Sequence, residues 1–207
     1  MTQAFLDIAI TPSVTAAQAA NGGVLRRPHI DFAPDPLTDR EAAFIAARDS
    51  FYLATVSETG WPYVQHRGGP AGFLKVLDER TLGFADYRGN RQMISAGNLA
   101  AGDRAALILM DYPSRARLKL YAHGQIRPLA EDPDLAARLA VAGYRALPER
   151  AVILKLEAFD WNCPQHITPR FTEAEIAQAV APLHQRIQAL ELELETQRGA
   201  AASPTRG

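Results

Sequence analysis

Seven short segments rich in Val, Leu, Phe and Tyr follow one another in the middle of this chain, and turn residues separate them. They span Phe51–Val56, Tyr63–Arg67, Phe73–Leu77, Thr81–Ala85, Ala105–Tyr112, Leu118–Arg127 and Ala151–Phe159. Segments of this length and composition are typical of β-strands. Connections as short as residues 58–60 and 78–80 predict antiparallel neighbours. Because closing a sheet on itself removes its exposed edges, six or seven such strands predict a closed or nearly closed barrel.

Helical segments precede and interrupt the predicted strands. Thr11 and Pro12 have the residue types of an N-cap and a first helical residue, and Thr38 with Glu41 has the spacing of a capping box. Residues 27–36, between these two starts, form a proline-rich linker. The fold class predicted is therefore mainly β with added helices.

Two helices are predicted inside the strand series and one after it. The first inner helix covers residues 91–100, and the second begins after Asp132 and runs to about residue 146. Thr172, the start of another capping box, opens a C-terminal helix to about residue 198. Pro182 lies inside this helix and is predicted to kink or interrupt it, because proline lacks a donor and clashes with the preceding turn.

Beyond Pro182 the apolar residues of the C-terminal helix have a 4-3-4 spacing. They are Leu183, Ile187, Leu190 and Leu194. This spacing predicts a seam that packs on a partner helix or on the barrel, and two heptads are too few to predict a coiled coil.

Composition limits the class of protein. The chain has 207 residues, of which 47% are hydrophobic, and a formal net charge of −1, so no overall field favours nucleic acid or anionic lipid. A single cysteine fits a reducing, cytoplasmic environment. The apolar runs are too short to cross a membrane, and the N-terminus lacks a signal-peptide pattern.

Basic residues and glycines concentrate between Gln65 and Asn98. The basic residues of this stretch include Arg67, Lys75, Arg88 and Arg91, and glycines at positions 68, 69, 72, 83 and 89 lie near them. A terminal phosphate needs guanidinium forks, a point charge and exposed backbone amides. The segment 89–91 also lies where a loop enters the predicted helix, and helix N-termini attract anions. Surface arginines and turn glycines at a barrel rim are the alternative explanation.

The same stretch resembles the flavin-binding split barrels related to pyridoxamine 5′-phosphate oxidase, over roughly residues 49–124. Arg67 and Lys75 resemble the Arg and Lys of two successive strands in that family, and Phe84 resembles an aromatic strand end. Residues 90–92 resemble its Ser-Arg-Lys loop. The resemblance implies an FMN-binding split barrel, a homodimer with the flavin at the subunit interface, and oxidoreductase activity on a small molecule.

The resemblance also implies a set of cofactor-binding residues. Arg67, Lys75 and Arg91 would grip the FMN phosphate, with Asn90 and Gln92 in the same loop. Backbone near Phe73, Leu74, Ala85 and Asp86 would face the isoalloxazine. Arg117 and Lys119 of the neighbouring subunit would complete the site.

Three features depart from the family pattern. An extra Gly-Gly-Pro separates Arg67 from Lys75, and Gln92 replaces the loop lysine. The substrate-binding Arg and His arrangement expected near the C-terminus of the oxidase has no counterpart here. Oxidation of vitamin B6 is therefore not expected, whereas flavin binding is.

The polar segment from Trp161 to Arg170 follows the last predicted strand. If it covers the flavin, Asn162 and His166 are the candidate catalytic residues, since imidazole titrates near neutral pH. Cys163 and His166 could also bind a metal or form a nucleophile and base, but no second ligand cluster exists, and a structural role is favoured for the thiol.

Two further residues have structural interpretations. His66 is adjacent to Arg67 on one strand, so the two side chains should point to opposite faces of the sheet. Trp61 precedes a strand and is expected in the core or at an interface.

These observations predict an FMN-dependent oxidoreductase. The alternatives are a deazaflavin-dependent reductase and a non-catalytic flavin- or haem-related binding protein. The predicted organisation is a helical extension over residues 1–48, the split barrel over 49–160, a C-terminal segment and helix over 161–198, and a flexible tail over 199–207.

Overall fold

A computed structural model describes residues 2–23, 33–161 and 164–202, with side chains up to residue 199. The chain divides into two compact units, Met1–Ile167 and Thr168–Gly207. The first unit contains the whole sheet and the second contains the C-terminal helix.

All seven predicted strands are present in the first unit. They are β1 (Ser50–Val56), β2 (Pro62–Gly68), β3 (Lys75–Asp78), β4 (Thr81–Tyr87), β5 (Arg104–Asp111), β6 (Ala116–Pro128) and β7 (Pro148–Trp161). They form one sheet in the order β2-β1-β5-β6-β7-β4-β3, and every neighbouring pair is antiparallel. The predicted hairpins β1–β2 and β3–β4 are confirmed.

The sheet curls but does not close. Strands β2 and β3 are its two edges, and no backbone ladder joins them within the described residues. Phe51 of β1 nevertheless packs against Phe84 of β4, with ring centroids 5.3 Å apart, although three strands separate β1 from β4 in the sheet. The split-barrel class is confirmed, and a fully closed barrel is not formed.

The concave side of the sheet holds the main core. In β5 and β6 alternate residues point inward, so Leu107, Leu109, Leu118 and Leu120 are all at most 3% exposed. Phe73 stacks on Phe51 at 5.5 Å and meets Phe84 edge-on at 6.2 Å. This aromatic cluster fills the space between the two halves of the curled sheet.

Five α-helices belong to the first unit. They are α1 (Gln3–Ala9), α2 (Pro12–Ala20), α3 (Asp39–Ala46), α4 (Ile94–Ala101) and α5 (Pro133–Leu139). The starts of α2 and α3 are as predicted, since the Thr11 side chain accepts from Val14 N–H and Thr38 with Glu41 forms its capping box. Helix α1 lies in the predicted helical extension, although no bounds were predicted for it, and most of the predicted linker lies outside the described residues.

The two inner helices differ from their predicted bounds. Helix α4 begins at Ile94 instead of residue 91, because Met93, its N-cap, has left-handed backbone angles. Helix α5 starts after the predicted cap, where Asp132 accepts from Leu135 N–H at 2.9 Å, but it ends at Leu139. Residues 140–146 have no helical structure.

Glu41 connects α3 to the end of the sheet. Its Oε2 accepts from Thr38 N–H at 3.1 Å and its Oε1 from Trp161 Nε1 at 2.6 Å. Burial raises the pKa of Glu41, but the hydrogen bonds from Thr38 and Trp161 outweigh burial and hold that pKa below its usual value. The carboxylate is therefore a buried, charged anchor between the helix and β7.

The second unit contains α6 (Glu173–Ala202). Its N-terminus has the predicted capping box, in which Thr172 N–H donates to Glu175 Oε2 at 2.7 Å. Pro182 was predicted to kink or interrupt this helix; the helix continues through it, so the interruption is wrong. The helix extends to Ala202, beyond the predicted end. Residues 203–207 of the predicted tail lie outside the described residues.

Candidate functional site

An arginine-lined pocket lies between β2, β4 and the loop before α4. Its volume is about 250 Å³. The lining residues are Tyr63, Gln65, Arg67, Asp86, Tyr87, Gly89, Asn90, Arg91, Gln92, Met93, Ile94, Ser95, Ala96 and Arg150. The pocket therefore combines charged side chains from the sheet with the backbone of a loop that enters a helix.

Asp86 is the centre of the first ion cluster. Its Oδ1 accepts from Arg67 Nη1 at 2.9 Å, and its Oδ2 accepts from Arg150 Nη2 at 2.7 Å and Nε at 3.1 Å. The carboxylate thus holds two guanidinium groups at the pocket wall. Arg67 Nε is buried and has no hydrogen-bond partner among the described residues.

Glu149 is the centre of a second cluster beside the first. Its carboxylate meets Arg91 Nη2 at 2.7 Å, Arg150 Nη1 at 3.4 Å and Arg88 Nε at 3.8 Å. Together the two clusters set four guanidinium groups against two carboxylates. Of these groups Arg67, Arg91, Arg150 and Asp86 line the pocket itself, so its wall carries an excess of positive charge.

The loop before α4 has an unusual backbone. Arg91 and Met93 have φ angles of 60° and 55°, in the left-handed region that residues with a Cβ seldom occupy. Asn90 Oδ1 accepts from Gln92 N–H at 3.2 Å, which stabilises the turn between them. Such backbone geometry is concentrated at ligand-binding sites.

A second recess adjoins the arginine-lined pocket. It has a volume of about 180 Å³ and is lined by His66, Arg67, Gly68, Phe73, Phe84, Ala85, Asp86 and Tyr87. Arg67, Asp86 and Tyr87 line both cavities. Burial and, secondarily, Tyr144 raise the pKa of Tyr87, so its phenol is a neutral donor at physiological pH.

The extra Gly-Gly-Pro forms a turn beside this recess. Gly69 N–H donates to Asp49 O at 2.9 Å, and Gly72 N–H donates to Arg48 O at 3.1 Å. A Cβ at Gly69 would lie 2.7 Å from the Phe73 ring, so only glycine fits there. Backbone hydrogen bonds thus hold the insertion against the residues that immediately precede β1.

The structure brings most of the predicted cofactor residues together. Five of them line the arginine-lined pocket, namely Arg67, Asp86, Asn90, Arg91 and Gln92, and Phe73 and Ala85 line the adjoining recess. Leu74 is 1% exposed in the core, and Lys75 lies on β3 opposite Gly83; neither lines these cavities. Asp86 contributes its carboxylate, whereas only its backbone was predicted to matter.

Arg117 and Lys119 lie on the other face of the sheet. They alternate with the inward-facing Leu118 and Leu120 of β6. Lys119 Nζ is 3.2 Å from Asp160 Oδ2 and 4.7 Å from the centroid of the Phe5 ring. In one chain they are therefore not part of the arginine-lined pocket.

The predicted catalytic segment is described only in part. His166 is exposed, has a φ of 63°, and does not line either cavity. The predictions for Asn162 and Cys163 lie outside the described residues. Where the chain is described, no cluster of three or more His, Cys, Asp or Glu could hold a metal ion.

His66 points away from Arg67, as predicted. It meets Tyr52 edge-on at 5.6 Å between ring centroids, whereas Arg67 pairs with Asp86. Trp61 is 76% exposed and therefore does not lie in the core of this chain.

Sequence reasoning missed Arg150 and Glu149. They precede the predicted start of the last strand, and nothing local marks them as ligand-binding. Arg150 meets Asp86 because β4 and β7 pair in a register that sets the two residues opposite each other. A correct prediction of this strand pairing would have found Arg150.

Comparison with known proteins identifies the family. A family model described as pyridoxamine 5′-phosphate oxidase matches residues 37–161, which is more than half of the chain. The chain therefore belongs to the pyridoxamine 5′-phosphate oxidase family. No curated protein sequence matches it.

Several solved structures are similar to this chain. A candidate pyridoxamine 5′-phosphate oxidase from Lactobacillus delbrueckii is 25% identical, with a TM-score of 0.46 over 60% of this chain and 93% of that one. An FMN-binding protein from Syntrophomonas wolfei is 15% identical, with a TM-score of 0.43 over 60% and 88%. An F420 reductase is 20% identical, with a TM-score of 0.43 over 60% and 98%.

Among the described helices, none is both long enough and apolar enough to cross a membrane.

Proposed function

We propose that this chain binds FMN, with the terminal phosphate in the arginine-lined pocket, and acts as a flavin-dependent oxidoreductase. The observation that carries the proposal is the set of four guanidinium groups around two carboxylates. A phosphate monoester carries a charge of about −1.5 to −2 near pH 7, which balances this excess.

The residues present fit the two ends of an FMN molecule. Arg67 has a buried Nε without a partner, and Arg91 lies in the loop that lines the same pocket, so both can donate to phosphate oxygens. Phe73, Phe84 and Ala85 line the adjoining recess, which suits a planar aromatic ring.

The bound flavin would supply hydride or electron transfer, and the protein would supply binding, orientation and electrostatics. Asp86 already holds the side chains of Arg67 and Arg150 in place in the ligand-free protein. These two side chains therefore lose little rotamer entropy when a ligand binds. Gln92 in place of a loop lysine removes one positive charge from the proposed phosphate cradle, which leaves the arginines to balance the phosphate.

Titration of the ligand-free protein tests the cofactor. Charge-assisted hydrogen bonds contribute roughly 1.5–3 kcal/mol each, so FMN should bind at least about tenfold more tightly than riboflavin. The measurement is quenching of flavin fluorescence, with FAD and the deazaflavin F420 as competitors. Equal affinity for riboflavin and FMN would refute phosphate recognition. Tighter binding of F420 than of FMN would show that F420 is the cofactor.

A second measurement on the same sample distinguishes an enzyme from a non-catalytic flavin carrier. An oxidoreductase exposes the reactive edge of its flavin, so photoreduced protein should be re-oxidised by small electron acceptors. A flavin that is bound but not re-oxidised by any of them would favour a non-catalytic binding protein.

We further propose that the complete site forms between two copies of the chain. The convex face of β1, β2, β5 and β6 has an apolar groove of about 210 Å³, whose walls include Tyr52, Val64 and Ile108. Val64 is 60% exposed there. Arg117 and Lys119 lie on this same face, so a second chain seated on it is one way for them to reach a flavin held by its partner.

Mixing two defective subunits tests this shared site. Arg91→Ala removes a group from one chain's pocket and Arg117→Ala removes the group contributed by its partner. Each variant alone should bind FMN weakly, but a co-expressed mixture should recover tight binding at up to roughly a quarter of its sites, because each mixed dimer has one intact site. No recovery in the mixture would show that both residues act within one chain or that Arg117 does not act at all.

A further inference from the structure

Helix α6 presents a continuous apolar stripe that the proposed flavin site does not use. Five of its apolar residues are between 40% and 62% exposed, which is unusual for a stripe of large side chains. They are Ile176, Leu183, Ile187, Leu190 and Leu194. Val180, half-buried, falls in the same stripe.

These six residues occupy consecutive a and d positions of a heptad pattern, because Ile176 and Val180 extend the seam in front of Pro182 beyond the two heptads that follow it. The a positions are Val180, Ile187 and Leu194, and the d positions are Ile176, Leu183 and Leu190. β-Branched residues at a with leucine at d favour two parallel strands over larger bundles. Two of the three a positions and two of the three d positions follow this rule.

The residues that flank the stripe have complementary charges. In a parallel pair the g residue of one helix lies beside the e residue of the next heptad on its partner. Arg186 (g) then faces Glu191 (e), and Glu193 (g) faces Arg198 (e). By symmetry each contact forms twice, so four ion pairs of opposite sign border the seam.

An antiparallel pair is disfavoured by the same charges. To keep all six apolar positions in contact, an antiparallel pair would have to be centred near residue 185. In that arrangement each g residue of one helix lies beside a g residue of the other, so the two copies of Arg186 come into contact. Like charges in contact are destabilising, so the sequence of α6 discriminates between the two orientations.

Pro182 is compatible with this pairing. It occupies a c position, on the side of the helix away from the stripe, and α6 continues through it. The lost hydrogen bond therefore lies on the outer side of a coiled coil and leaves the apolar seam uninterrupted.

We propose that α6 pairs with α6 of a second copy of this chain as a parallel, in-register, two-stranded coiled coil. The seam covers residues 176–194, and the g–e ion pairs at residues 186, 191, 193 and 198 select a second copy in parallel orientation. This contact surface consists of residues of the second unit, whereas the sheet face that is proposed to complete the flavin site consists of residues of the first.

Disulfide trapping in the full-length chain tests the proposal. In a Cys163→Ser background, which removes the only native cysteine, Leu190→Cys places a thiol at a d position. A parallel, in-register pair brings the two copies of a d residue face to face, within disulfide range. In a glutathione redox buffer, the cross-linked fraction should exceed that of a surface cysteine by roughly tenfold or more.

Leu192→Cys is the matched control. Leu192 is the same residue type on the same helix, 66% exposed, but it occupies an f position on the outer side. Leu183→Cys, one heptad before Leu190, should cross-link like Leu190→Cys. Equal cross-linking of the Leu190 and Leu192 variants, or of neither, would overturn the proposal, as would cross-linking at only one of the two d positions.

Exchanging the charges of one proposed ion pair distinguishes pairing between two helices from a change in the stability of the helix itself. Adding Arg186→Glu to the Leu190→Cys variant sets like charges against Glu191 of the partner subunit and should lower the cross-linked fraction severalfold. Adding Glu191→Arg as well should restore it. If the second change does not restore cross-linking, the g–e contacts are absent and the parallel register is wrong. None of these measurements depends on flavin, so their failure and that of the proposed function are distinguishable.

Discussion

Replacing Phe51 with alanine is expected to lower the free energy of unfolding by about 3–5 kcal/mol. Phe51 is 1% exposed and contacts both Phe73 and Phe84, with ring centroids 5.5 and 5.3 Å away. Because β1 and β4 are not neighbours in the sheet, this cluster is what holds the curled sheet together across its open side. The substitution leaves a cavity that the surrounding strands can fill only in part.

Urea unfolding of ligand-free protein at fixed concentration measures the effect. In a protein of this size each kcal/mol corresponds to roughly 2–4 °C in Tm, so thermal unfolding should show it as well. Phe171→Ala is the control, since Phe171 is 59% exposed and its loss should change stability by no more than about 0.5 kcal/mol. A loss below about 1 kcal/mol for Phe51→Ala would mean that the aromatic cluster is not the packed centre of the fold.

Arg91→Ala is expected to weaken FMN binding about tenfold while leaving riboflavin binding nearly unchanged. The Arg91 side chain is 54% exposed, so its bond to a phosphate is expected at the low end of the range for charged partners, about 1.5 kcal/mol. Glu149 keeps Arg88 and Arg150 as partners, so the substitution should not disturb the pocket wall.

The two titrations are compared with those of Arg127→Ala. Arg127 is an exposed arginine of β6 that bonds to Gln125 and lines neither site cavity, so its removal should leave both affinities as they are. If Arg91→Ala weakens riboflavin and FMN equally, Arg91 supports the ring or the fold and does not bind the phosphate.

Sequence alone was enough where the signals are local. The seven strands, the β1–β2 and β3–β4 hairpins and the capping boxes before α3 and α6 depend on residues a few positions apart, and all are present. The family resemblance was also confined to one short stretch, because it rested on Arg67, Lys75, Phe84 and the loop at residues 90–92, and the family match confirms it.

The predicted helix boundaries were less accurate than the predicted strands, because competing local conformations at a helix end are close in energy. Residues 91–93 have helix-compatible side chains, yet Arg91 and Met93 adopt left-handed angles and delay α4 to Ile94. Pro182 costs α6 one hydrogen bond, but a helix that continues for many residues on both sides retains the rest.

Only the tertiary structure decided which charges meet. Asp86 and Arg150 are 64 residues apart, and their contact depends on the register of β4 against β7. A shift of one residue in this register would turn every side chain of the strand to the other face and separate the two groups. Likewise the family resemblance placed Lys75 with Arg67 on the phosphate and the backbone near Leu74 beside the ring, whereas in the structure Leu74 is buried in the core and neither residue lines the two cavities. Local propensities determined the elements of this protein, whereas the pairing of distant strands determined its pocket, because contact between distant residues depends on how the whole sheet packs.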